Sequence, residues 1–298
     1  MARLSPLLLI ALALAGCGAS ASGDGAASVV ATTTQAANLT RAVAGERAQV
    51  VGLLAPTADP HDYEPRPRDV KALAGADLVV RSGGEVDAWL AGAIEASGAD
   101  ANVAVLIDAA RPAGGDPHWW QDPVAARRAL PALRDALTRA DPAGRGVYAA
   151  NAAAYSRRLG ELDRAVAACV RTIPLGRRRL VTTHDALGPY ARRYGLEVLG
   201  TVIPSRSTRG QASARDTARL VATIRRARVP AIFAESSVNA SVERAIAREA
   251  GARVGGELWA DTLGPKGSEG ASYIGSIAAN TRTIAAGLGG DRDCVLPR

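Results

Sequence analysis

One Phe and one Met stand in a chain of 298 residues, and aromatic residues make up only 4% of it. The apolar interior must therefore come from Ala, Val, Leu and Ile, and a sizeable core is still available because hydrophobic residues reach 48%. Beyond the first sixteen residues no segment is apolar enough to cross a bilayer, which takes about 20 such residues. Basic residues exceed acidic ones to a net charge of +7, yet they are almost all Arg, scattered beside Asp and Glu rather than massed in a stripe with interleaved aromatics. That distribution argues against nucleic acid as a partner. A solvated, Arg-rich surface lying near anionic lipid accounts for the charge equally well. Neither a His-Glu-x-x-His helix nor a Gly-x-Ser-x-Gly elbow occurs, which removes two common hydrolase patterns.

What is present begins at the N-terminus. Arg3 supplies a basic start, Pro6 to Leu14 form a short apolar run, and Leu14-Ala15-Gly16-Cys17 follows. The run is too short to span a membrane and reads as a cleaved signal peptide over residues 1–16. A Cys placed directly after the small residues resembles a bacterial lipobox, in which the thiol of Cys17 is lipidated. Residues 17–27, rich in Gly, Ala and Ser, then form a lipidated tether. The expected location is the extracytoplasmic face of the cell membrane, held by a lipid anchor. With Cys17 consumed, Cys169 and Cys294 remain, and an exported chain with one leftover pair favours a disulfide between them.

From residue 28 the chain alternates short β-branched runs with amphipathic stretches, the pattern of βα units and a parallel sheet. Strands are expected at residues 28–34, 48–54, 77–81 and 102–107, with helices at 35–43, 68–74 and 86–97 between them. The rhythm then breaks. Residues 124–139 are helical, and a helix from about residue 143 to 172 carries its large side chains at Tyr148, Tyr155, Leu159, Leu162, Val166 and Cys169. At 1.5 Å per residue it would be about 45 Å long. The alternation resumes with strands at 179–183, 197–203, 231–234 and 253–259 and helices at 186–194, 212–227, 241–250 and 272–288. The expected fold is α/β: an N-terminal lobe over 28–142, a C-terminal lobe over 174–298, and one long linking helix over 143–173. The one internal echo in the sequence is a tripeptide, Asp-Pro-His.

That tripeptide holds two of only three His in the chain. His61 lies in Asp59-Pro60-His61-Asp62-Tyr63, and His118 in Asp116-Pro117-His118-Trp119-Trp120. His184, in Thr183-His184-Asp185-Ala186, ends the first strand of the second lobe. All three follow strands, where ligands bind in open α/β sheets. Pro stiffens each turn, an aromatic can wall the imidazole off from water, and a neighbouring Asp can accept its second ring N–H. Imidazole is a common metal ligand, and a tetrahedral site wants a fourth donor. Asp261, after the last strand, and Glu235, after residues 231–234, both qualify, and spacing does not choose between them.

Taken together, these motifs resemble those of the metal-binding lipoproteins of bacterial ABC importers for zinc and manganese. The resemblance spans about residues 28–290 and rests on Asp59 through Pro65, Asp116 through Pro123, Thr183 through Ala186, and Leu258 through Leu263. It implies two α/β lobes bridged by a rigid helix, with the ion held between them by His61, His118, His184 and Asp261. It also implies an ABC permease as partner, a monomer, and no enzymatic activity. Zinc is the expected cargo, because the manganese carriers tend to place a carboxylate where His184 stands. Three departures are visible. Leu187 replaces a usual aromatic and Pro189 falls in the next helix's first turn, Ala109–Gly115 lacks the long His-rich loop of many zinc carriers, and Trp259-Ala260-Asp261-Thr262 varies the carboxylate motif. A zinc hydrolase and a surface adhesin using metal structurally are the alternatives.

Overall fold

Short runs of Val, Ala and Leu, each bounded by Gly, Asp or Arg, pair here as parallel strands. The computed structural model describes residues 26–297. The expected signal peptide, the Cys17 lipidation site and nearly all of the tether lie outside the described residues. The first half contains β1 (Ala27–Ala31), α1 (Thr34–Ala44), β2 (Ala48–Gly52), α2 (Pro67–Ala74), β3 (Leu78–Arg81), α3 (Leu90–Ser97), β4 (Asn102–Val105) and α4 (Leu106–Ala110). Then come α5 (Pro123–Ala140) and α6 (Arg145–Arg171). The second half contains β5 (Arg179–Thr182), α7 (Gly188–Tyr194), β6 (Glu197–Thr201), α8 (Ala214–Ala227), β7 (Ala231–Glu235), α9 (Ser241–Ala250), β8 (Arg253–Leu258) and α10 (Tyr273–Leu288).

The two sheets repeat one topology, with strand orders β2-β1-β3-β4 and β6-β5-β7-β8, all parallel. Inner strands β1, β3, β5 and β7 are buried almost throughout, whereas the edge strands are half-exposed. A strand covered on both faces must be apolar at successive positions, and the period of two then sends alternate side chains to different cores. Val29, Ala31, Leu78 and Val80 join Leu180, Ala231 and Phe233 in one core that runs through both halves. Their neighbours Val30 and Val79 face a second core, and Val181 and Ile232 a third.

Helix α6 is the spine of the shared core. Its 27 residues extend about 40 Å, packing on α5 and α1 of the first half and on α10 of the second. Tyr148, Tyr155, Leu159, Leu162, Val166 and Cys169 are its buried stripe. Its start is clamped by Asp141, which accepts hydrogen bonds from Arg47 Nε at 2.7 Å and Tyr148 Oη at 2.7 Å. Cys169 near its end is bonded to Cys294, with Cα atoms 5.5 Å apart, so the tail after α10 is pinned to the spine. The sole Phe, Phe233, is buried against Gly287 of α10, where a Cβ would come within 2.5 Å of the ring.

Several elements depart from the sequence reading: the strands expected over 28–34, 48–54 and 197–203 end early, at Ala31, Gly52 and Thr201, and three further differences have a local cause. The helix expected over 86–97 is a 3-10 turn, Gly84–Asp87, followed by α3, because Gly83 and Gly84 adopt φ of 92° and 74° and the buried Asp87 carboxylate accepts the Gly83 N–H. The strand expected to reach residue 107 stops at Val105 and turns directly into α4. Helix α7 begins at Gly188 rather than at 186, with Pro189 in its first turn, where no intrahelical donor is needed. Among the described residues no helix is long and apolar enough to cross a membrane.

Candidate metal centre

Four loops deliver the site, and the expectation that His118 directly follows a strand is corrected, since α4 intervenes after β4. His61 lies in the connection between β2 and α2, His118 in that between α4 and α5, His184 two residues past β5, and Asp261 three residues past β8. The structure brings these four side chains together: one donor atom from each lies within 4.8 Å of all the others. All are buried, His118 and Asp261 completely. Glu235, the other candidate carboxylate, is not among the four.

The distances resemble the edges of a coordination polyhedron. Nε2 of His118 lies 3.4 Å from Nε2 of both His61 and His184. Asp261 Oδ2 is 2.9 Å from His61 Nε2 and 3.0 Å from His184 Nε2, while its Oδ1 is 3.6 Å from His118 Nε2. A tetrahedral ion with ligand bonds of about 2.0–2.1 Å sets its donors about 3.3 Å apart. Despite these approaches, neither Asp261 oxygen receives a well-directed hydrogen bond. Two unsatisfied oxygens on a fully buried carboxylate are costly, and a cation at the centre would relieve both.

Outer partners orient two of the rings. Asp116 Oδ1 faces His118 Nδ1 at 3.2 Å and accepts the His118 backbone N–H at 3.1 Å. Its Oδ2 accepts from Arg192 of α7 at 3.2 Å. Behind His184 the acceptor is Glu235, whose Oε2 is 2.8 Å from Nδ1. The expected partner, Asp185, instead lies 3.9 Å from Arg206. Asp62, beside His61, pairs outward with Arg209 at 3.0 Å. Aromatic shielding is likewise uneven. Trp120 stands edge-on to His118 at 5.5 Å between centroids. Tyr63 does not cover His61; it packs on Trp89 at 4.9 Å and donates to Asp69 at 2.6 Å. Trp89 in turn donates to the Pro60 carbonyl at 3.2 Å, bracing the His61 loop indirectly.

The loop bearing Asp261 is tied to the first lobe. Trp120 Nε1 and Gln121 Nε2 donate to the Ala260 carbonyl at 2.9 and 2.6 Å, and Thr34 Oγ1 accepts from Leu263 N at 2.9 Å. A second tie runs the other way: Thr208, in the β6–α8 loop, donates to Asp59 Oδ2 at 2.6 Å, while Asp59 Oδ1 holds the His61 N–H at 2.9 Å. Burial alone would raise the Asp261 pKa, but the imidazoles of His184 and His118 outweigh it and hold the carboxyl well below its usual range. Burial would likewise lower His184, but Asp261 and Glu235 outweigh it and raise the ring well above the ordinary imidazole value.

A sequence profile of the ZnuA family, described as "Zinc-uptake complex component A periplasmic", matches residues 29–287. The chain belongs to this family. It is 32% identical over 251 residues to the manganese-binding lipoprotein MntA of Halalkalibacterium halodurans, covering 83% of each chain. It is 33% identical over 273 residues to the zinc-binding protein TroA of Treponema pallidum, covering 87% of this chain and 88% of that one. The solved structure of the Treponema pallidum protein superposes with a TM-score of 0.83 at 30% identity, over 89% of this chain and 99% of the other. These relatives are metal-binding proteins rather than enzymes, and this ZnuA-family chain is a metal-binding component of ABC-type metal uptake.

The roles of Glu235, Gln121, Arg192 and Thr208 around the donors were not legible in the sequence. Each acts from an element far away in the chain, and no local motif marks it.

Proposed function

We propose that the chain captures zinc, in preference to manganese, outside the cytoplasmic membrane and delivers it to the permease of an ABC importer. It would work as a monomer tethered through a lipidated Cys17, its units being a lobe over 28–142, a linking helix over 143–173 and a lobe over 174–298. The observation that carries the reading is the buried convergence of three imidazole nitrogens and one carboxylate from both halves of the molecule. The names of relatives do not choose the metal, since they include zinc-, manganese- and iron-binding proteins. The donor chemistry supports zinc. Three nitrogens and one oxygen suit zinc, whereas manganese is a harder ion, favours oxygen and ranks lowest in the divalent series.

Metal content of protein purified without added metal, followed by competition titration of zinc against manganese, tests both parts. Zinc should bind with one ion per chain and displace manganese. Equal affinities would refute the preference, and absence of any bound divalent ion would refute capture. Copper binding tighter than zinc would follow the same divalent ranking and would not count against the reading.

A further inference from the structure

The end of β7 places a second acidic group against the centre. Strands β5 and β7 are parallel neighbours with Thr182 opposite Phe233. Two residues further along each chain come His184 and Glu235, which the same register brings side by side on one face. We propose that Glu235, without binding metal itself, is a positioning residue that fixes the tautomer of His184 and supplies the charge that leaves the loaded centre neutral. The proposal rests on metal capture by His61, His118, His184 and Asp261.

The tautomer follows from donor chemistry. An ionised carboxylate only accepts hydrogen bonds. Oε2 of Glu235 sits 2.8 Å from His184 Nδ1, and its Oε1 already accepts from Ser237 Oγ at 3.0 Å. In the neutral ring that a metal requires, Nδ1 therefore carries the proton, and the Nε2 lone pair points to the cluster, 3.0 Å from Asp261 and 3.4 Å from His118. A carboxylate behind a ligating imidazole also raises its basicity.

The charge balance separates Glu235 from its counterpart Asp116. Asp116 shares its negative charge with Arg192 at 3.2 Å, whereas the one ion-pair partner of Glu235 among the described residues is His184. Glu235 is only 3% exposed. Glu243, the other buried acid nearby, accepts from the Thr183 hydroxyl at 2.7 Å and touches no imidazole. A dication held by three neutral imidazoles and Asp261 has a net charge of +1. With Glu235 ionised at hydrogen-bond distance the sum is zero, which a buried site needs if it is to avoid a large desolvation cost.

The test compares wild type with Glu235→Gln, Glu235→Ala and Asp261→Ala. Gln keeps an acceptor for Nδ1–H and removes the charge, whereas Ala removes both. Zinc affinity, measured against a chelator, should fall about 10- to 100-fold in Glu235→Gln and further in Glu235→Ala. Nitrogen-15 spectra of the metal-free protein, recorded at a pH high enough for the His184 ring to be neutral, should show it protonated at Nδ1 in wild type and in Glu235→Gln, and a tautomer mixture in Glu235→Ala. Unchanged zinc affinity in Glu235→Gln would overturn the charge role. A single Nδ1–H tautomer in Glu235→Ala would overturn the positioning role. If wild type binds no zinc, or Asp261→Ala binds as tightly, the capture reading fails and the charge balance with it. The metal-free spectra still decide whether Glu235 sets the tautomer.

Discussion

At the scale of the residue, Asp261 is the group whose loss should matter most. It is the one carboxylate among the four donors, and both of its oxygens lack a directed hydrogen bond. Asp261→Ala should weaken zinc and manganese alike, by more than the ~100-fold that losing an outer partner can cost. His184→Glu should act selectively, lowering zinc affinity while narrowing the gap to manganese, because it exchanges a nitrogen for oxygen. A paired titration with the two metals checks both substitutions. The pH dependence has a definite sign. The His184 ring is held above its ordinary pKa by Asp261 and Glu235, against the effect of burial. A metal must displace that proton, so affinity falls as pH drops through the raised value and is still rising with pH above about 6.5. Zinc affinity that levels off at or below that pH would contradict the sign.

At the scale of the element, α6 is secured at both ends by bonds distant in sequence. The Cys169–Cys294 bond spans 125 residues, and removing both thiols as Cys169→Ser/Cys294→Ser should cost about 2–5 kcal/mol. Zinc affinity should stay unchanged, since the bond lies outside the donor cluster; denaturant unfolding and a zinc titration on one preparation separate the two effects. At the other end, hydrogen bonds from Arg47 hold the Asp141 carboxyl down at about 2, with Tyr148 helping and burial opposing. A depressed carboxyl contributes stability that is present above the unfolded value near 4 and lost as pH falls towards 2. Asp141→Asn should therefore flatten the acid limb of the stability curve in that window. Gly188, at the start of α7, shows a tighter constraint, since a Cβ there would lie 3.0 Å from Asp116 Oδ2 and 3.1 Å from Arg192 Nη1.

At the scale of the whole molecule, the two lobes hold each other through side chains flanking the metal donors. Thr208 grips Asp59 and Arg209 pairs with Asp62, both beside His61. Neither touches a donor atom, so their loss should act mainly on rates. The double change Thr208→Ala/Arg209→Ala should speed zinc dissociation by several-fold while preserving stoichiometry, measurable by stopped-flow transfer to a chelator. An unchanged rate would mean that the β6–α8 loop does not restrain release. The membrane tether is open to a direct check: wild-type protein should partition with membranes and Cys17→Ser should be released to the soluble fraction.

The alternation of β-branched runs and amphipathic stretches carried the α/β class and most element positions, because inner strands and one helix face must be apolar whatever the tertiary arrangement. The stripe from Tyr148 to Cys169 carried the long helix for the same reason. Of the site, the Asp-Pro-His repeats and Thr-His-Asp-Ala singled out the imidazoles through short, local patterns. Sequence spacing could not choose between Asp261 and Glu235, since each follows a strand. Only the sheet register decided that one meets three Nε2 atoms and the other an Nδ1. The matching topology of the two sheets was also invisible, since both copies of the Asp-Pro-His tripeptide lie in the first lobe. Parallel pairing depends on burial pattern and crossover direction, which dissimilar sequences satisfy equally well, and the partners that finish the site come from residues up to 229 positions apart.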